Sequence, residues 1–82
     1  MTFEDIEFPV YRKYKNGRNY FKIINARRFE ELQLIGDKPL LRDVRATQLP
    51  EHNFIRDMVL NFSAMAEVIT AEEYEMIRAR VF

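Results

Sequence analysis

Lys13, Lys15, Arg18 and Lys22 are interleaved with Tyr11 and Tyr20 in the stretch YRKYKNGRNYFKI, residues 11–23. Cations at this spacing contact phosphates while tyrosine rings stack on unpaired bases, the chemistry of single-stranded nucleic-acid binding. Arg27 and Arg28 would extend the patch. A solvated strand face accounts for the same residues. Outer faces of antiparallel sheets carry Lys, Arg and Tyr because their stems cover the sheet while their heads stay wet. Two features favour solvation. Thirteen Lys and Arg balance thirteen Asp and Glu, whereas dedicated nucleic-acid binders are strongly basic. Glu30 or Glu31, on the strand that follows, would also point to the basic side and neutralise part of it.

Catalytic chemistry has little to work with. His52 is the only histidine and Ser63 the only serine. On one helix they would stand about three turns apart, too far for a nucleophile and its base. Neither Glu51 nor Asp57 lies three or four residues from His52, the spacing that would put metal ligands on one helix face. Glu4/Asp5, Glu30/Glu31 and Glu72/Glu73 are adjacent pairs, whose members point in different directions on a strand or helix. Gly17 and Gly36 are the only glycines, so there is no phosphate-cradling loop. The expectation is no catalytic residue, no cofactor and no metal, with an enzyme the least supported class.

The elements that must position these residues follow from periodicity. Asn16-Gly17 is the preferred pair for a two-residue type I′ hairpin turn. That turn would pair Lys13 with Tyr20, Arg12 with Phe21, Tyr11 with Lys22 and Val10 with Ile23 across a hairpin spanning 8–24. One face then holds Val10, Tyr14, Phe21 and Ile23, diluted by Arg12 and Asn19. The other holds Tyr11, Lys13, Lys15, Arg18, Tyr20 and Lys22, the candidate interaction surface. FEELQLIG (29–36) alternates as a strand, GDKP (36–39) is turn chemistry, and LLRDVRAT (40–47) gives a further strand.

The pattern then becomes helical. Phe54, Ile55, Met58, Val59, Phe62, Met65 and Ile69 recur at three- and four-residue spacing. Pro50 suits a first helical position and Asn53 is an alternative cap. Residues 66–69 either finish this helix or form a short extended segment. Thr70 and Glu73 make a capping box, with Ile69 and Tyr74 at the staple positions and Tyr74, Ile77 and Val81 as a buried stripe. Glu72 and Glu73 at the start and Arg78 and Arg80 at the end complement the dipole of that second helix. The expected architecture is α+β over one domain, 1–82. A small antiparallel sheet, the hairpin plus one or two further strands, carries two C-terminal helices packed on one face.

The segments FPVYRKYKNGRNYFKI, RFEELQLIG, LPEHNFIRDM and EVITAEEYE, in that order, resemble a group of small uncharacterised bacterial proteins. The resemblance implies a compact domain and brings no activity, substrate or cofactor. Residues 1–7 lack the basic start and apolar run of a signal peptide. No run approaches the ~18–20 apolar residues of a membrane span. Cysteine is absent. These point to a cytoplasmic protein with no membrane contact. The function expected is that of a small non-catalytic interaction domain, its partner a protein or a second copy of itself. Phe62, Met65 and Phe82 are candidates for an exposed apolar patch. Nucleic acid, bound through the hairpin, is the alternative partner.

Overall fold

A computed structural model describes residues 3–82. After a short 3-10 turn at Phe3–Asp5, the chain forms β1 (Val10–Tyr14), β2 (Asn19–Asn25), β3 (Arg28–Ile35) and β4 (Lys38–Arg45). Helix α1 (Leu49–Leu60), strand β5 (Ala66–Val68) and helix α2 (Ala71–Val81) follow. The strands make one antiparallel sheet in the order β4-β3-β2-β1-β5. The α+β class, the N-terminal hairpin and the two C-terminal helices are as the sequence indicates. The sheet has one strand beyond the hairpin plus one or two expected. Residues 66–68 are extended and pair with β1.

The hairpin register is the expected one, with Val10 opposite Ile23 and Lys13 opposite Tyr20. Its turn is not. Gly17 N–H donates to the Tyr14 carbonyl at 2.9 Å, Gly17 has φ 73°, and among the described residues only glycines have positive φ. Type I′ needs positive φ at Asn16 as well. Asn16 instead uses its side chain, whose Oδ1 accepts from Arg18 N–H at 2.8 Å. The connection is therefore a four-residue loop built round one turn, which preserves the parity of the register.

The helices take opposite faces of the sheet, so the expectation that both pack on one face is corrected. α1 lays Ile55, Met58 and Val59 against Phe21, Ile23 and Phe29. α2 lays Tyr74, with Ile77 and Val81, against Tyr20 and Leu32. The physical reason lies in β3 and β4. Leu32 stands beside Tyr20 and Leu41 beside Leu32, so a second apolar stripe crosses the sheet and requires its own cover. Each large side chain fully buried this way contributes roughly 1.5–3 kcal/mol.

Each helix starts at an identifiable cap. Glu51 Oε1 accepts from Thr47 N–H at 2.9 Å and Gln48 N–H at 3.0 Å. These backbone bonds hold its carboxyl below the usual range. Gln48 is thus the cap of α1, and Pro50 sits in its first turn. Thr70 Oγ1 accepts from Glu73 N–H at 3.0 Å, as its capping pattern requires. The Glu73 carboxylate does not turn back to the cap but accepts from Lys13 Nζ at 3.3 Å. Among the described residues no helix is long and apolar enough to cross a membrane.

Tyr74 ties α2 to the sheet. Its hydroxyl donates to Glu30 Oε1 at 2.7 Å, and Arg78 Nε donates to the same oxygen at 3.0 Å. Burial, then the bond to Glu30, holds the phenol well above the ordinary tyrosine range. The folded form therefore resists losing this proton more than the unfolded chain does. The resulting stabilisation is complete below the unfolded value of about 10 and is lost as pH rises toward the folded value. The wild-type unfolding free energy from urea denaturation should fall above pH ~10, by up to ~1.4 kcal/mol per pH unit for one such group. Tyr74→Phe should start lower at pH 8 and fall less steeply. Parallel curves for the two proteins would refute the assignment.

Candidate functional site

α2 lies over the face that carries Tyr11, Lys13, Tyr20 and Lys22. Tyr20 is buried with Leu32, Ile69 and Tyr74, and Tyr11 packs on the Tyr74 ring at 5.5 Å between centroids. Lys13 pairs with Glu73, and Lys22 reaches Glu75 at 3.9 Å. Lys15 and Arg18 stay exposed on the hairpin loop. The six residues of the expected surface are therefore not one open face. The Tyr20 ring is buried and the partly buried Tyr11 ring rests on Tyr74. The two glutamates of β3 also divide. Glu30 meets α2, while Glu31 points to the opposite face.

That opposite face is only partly covered. α1 closes over Phe21, Ile23 and Phe29 and leaves the part nearer the β3–β4 turn open. Between the first turn of α1 and strands β3 and β4 lies a cleft of about 420 Å³. Phe29, Val44, Pro50 and Phe54 form its apolar walls, and Tyr14, Glu31, Gln33, Arg42 and Glu51 its polar ones. The larger hollow beside the β2–β3 turn, about 670 Å³, is shallower and lacks a buried polar group.

Glu31 organises the cleft. It is buried, 6% exposed, and four donors converge on it. Arg42 gives Oε1 two bonds, from Nε at 3.1 Å and Nη2 at 2.7 Å. Asn19 Nδ2 and Gln33 Nε2 donate to Oε2 at 2.9 and 3.0 Å. Arg42 is Glu31's direct cross-strand partner, and its half-exposed guanidinium forms the mouth. Burial, with the Glu31 charge nearby, raises the Tyr14 phenol, so Tyr14 presents a neutral hydroxyl. A carboxylate engaged by four donors has little capacity left to act as a general base. The chemistry on offer is recognition: apolar walls, the Arg42 cation, the Tyr14 hydroxyl and, at the helix start, the Glu51 carboxylate.

The outer edge of β4 borders the cleft. Leu34 N–H donates to Arg18 O, away from β4, and Ala46 N–H donates inward to Arg27 O. Antiparallel alternation then turns the backbone groups of Leu40, Arg42 and Val44 toward β3. Those of Pro39, Leu41, Asp43 and Arg45 face outward, where no strand of the sheet lies. Pro39 supplies a carbonyl there but no N–H.

His52 lies on α1 and Ser63 in the segment after it. Neither lines the cleft. Among the described residues no group of three or more His, Cys, Asp or Glu is placed to hold a metal ion. Of the apolar candidates, Met65 and Phe82 are exposed, while Phe62 is partly buried beneath the Arg12 guanidinium, 4.1 Å from its ring centroid. Sequence reasoning missed the cleft, although the signal was present: a turn at Gly36-Asp37 sets Glu31 directly opposite Arg42. A comparison of the chain with protein-family models, curated proteins and solved structures finds no match.

Proposed function

We propose that the chain is a small non-catalytic interaction module, acting through protein contacts or self-association, and that its contact site is the β4 edge with the adjoining cleft. The observation that carries this reading is the outward row of backbone groups on β4 beside a pocket to which β4 itself contributes Arg42 and Val44. An extended segment added to a sheet edge gains affinity from main-chain bonds, and a neighbouring pocket selects its alternate side chains. The apolar walls suit an aromatic or branched aliphatic side chain, and Arg42 favours an acidic residue beside it. Single-stranded nucleic acid is the weaker reading, because the rings it needs are covered by α2. The absence of cysteine accords with a cytoplasmic setting.

Affinity selection from a random extended-peptide library tests this. Selected peptides should shift the amide resonances of Leu41, Asp43 and Arg45 and slow their exchange, with side-chain shifts at Tyr14 and Gln33. Arg42→Ala should weaken acidic peptides by about tenfold, the effect of losing one charge-assisted contact. Selected peptides that leave the β4 amides unmoved, or a library that returns no binder, would refute the site.

A further inference from the structure

Resting on the β4 site just described, we infer that its occupant is a second copy of this chain, added antiparallel across a two-fold axis at Leu41. Outward residues must meet outward residues, so only a few symmetric registers exist, and charge distinguishes them. A centre at Leu40 sets Asp43 against Asp37 and Arg42 against Lys38. Centres at Arg42 and Asp43 set each of those residues against its own copy. A centre at Val44 runs off the strand, where Thr47 N–H is already given to Glu51. The Leu41 centre has no such conflict.

In that register Leu41 meets Leu41 and exchanges two backbone bonds. Asp43 N–H reaches the carbonyl of Pro39 in the second copy, so the N–H that proline lacks is the only bond lost there. Arg45 comes opposite Asp37 of the second copy, twice over. Within one chain Arg45 stands directly opposite Arg28 in the ladder, and Arg28 takes Asp43 with a 2.6 Å contact. Neither Arg45 nor Asp37 has an ion pair of its own among the described residues. Leu40, 48% exposed, is brought against the Arg42 stem of the second copy. The result is a continuous ten-stranded sheet, closed by its symmetry.

The test is sedimentation equilibrium of the full chain from about 10 µM to about 1 mM, with Asp37→Lys, Arg45→Asp and the double substitution. Both substituted positions are exposed, and circular dichroism is the check that each variant folds. Wild type should dimerise. Each single reversal should weaken the dimer about tenfold by placing like charges opposite, and the double should restore it. Exchange of the Leu41, Asp43 and Arg45 amides should slow in step with the dimer fraction. A monomer at 1 mM overturns this inference while leaving the edge site itself to the peptide selection. A dimer that ignores the charge reversals, or that leaves these amides unprotected, overturns it as well.

Discussion

Arg12→Met is expected to cost the domain about 2–4 kcal/mol, a large part of the ~4–12 kcal/mol available to a chain of this size. Arg12 points into the α1 side of the sheet and is only 8% exposed. Among the described residues it has no carboxylate partner. Its Nε donates to the Met58 carbonyl at 3.0 Å, Nη2 reaches Val59 O at 3.5 Å, and Nη1 donates to Tyr11 O at 2.9 Å. The first two carbonyls belong to the last turn of α1, where helix carbonyls lack internal partners and the dipole favours a cation. The Phe62 ring completes the cage. Burial lowers the Arg12 pKa, but a guanidinium remains charged at any ordinary pH.

Methionine keeps most of the stem volume and removes every donor, so the loss isolates the unsatisfied carbonyls from any cavity effect. Arg12→Lys should lose less, because one ammonium can serve one or two of the three acceptors. Urea denaturation with unchanged m-value measures both. A loss below about 0.5 kcal/mol for Met would mean that water replaces the guanidinium freely.

Arg12 also shows where sequence reasoning stops. Alternation places it on the core face among Val10, Tyr14, Phe21 and Ile23, where by residue type alone it only dilutes an apolar set. Two of its three partners are carbonyls nearly fifty residues away, and backbone acceptors leave no mark in a sequence. The hairpin register, by contrast, was legible because side-chain parity depends on loop parity rather than on the turn type assigned to Asn16-Gly17. The α2 start was legible because Thr70 and Glu73 act within one turn.

The covering of both sheet faces was not read, yet its signal existed. Tyr11 and Tyr20 resemble a wet face only while the hairpin is considered alone. Extending the register through β3 and β4 sets Leu32 and Leu41 in line with Tyr20, and three adjacent apolar residues across a sheet require a cover. The stripe of Tyr74, Ile77 and Val81 on α2 is the matching half. The same extension would have disclosed the Glu31–Arg42 pair and so the cleft.

Glu31→Gln should destabilise nearly as much as Glu31→Ala, about 2–4 kcal/mol in each case. An isosteric change is ordinarily mild, but all four bonds to Glu31 come from donors. Glutamine offers one accepting oxygen and turns an NH2 group toward either the Arg42 fork or the Asn19 and Gln33 amides. Two donors then face two more in a site with little water, and flipping the amide only exchanges which pair is orphaned. Glu31→Ala leaves all four donors unpaired but opens space for solvent around a guanidinium that is already half exposed. Arg42→Ala should cost about 1–3 kcal/mol despite that exposure, because it leaves a buried carboxylate with two neutral amides alone. The Glu31→Gln/Arg42→Ala double variant should recover part of the sum, since the clashing fork is gone and the two remaining amides can meet the glutamine oxygen. A double-mutant cycle in urea measures that coupling. Strict additivity would mean that Glu31 and Arg42 act independently, and the cleft would then lack the fixed cation on which its preference for an acidic side chain depends.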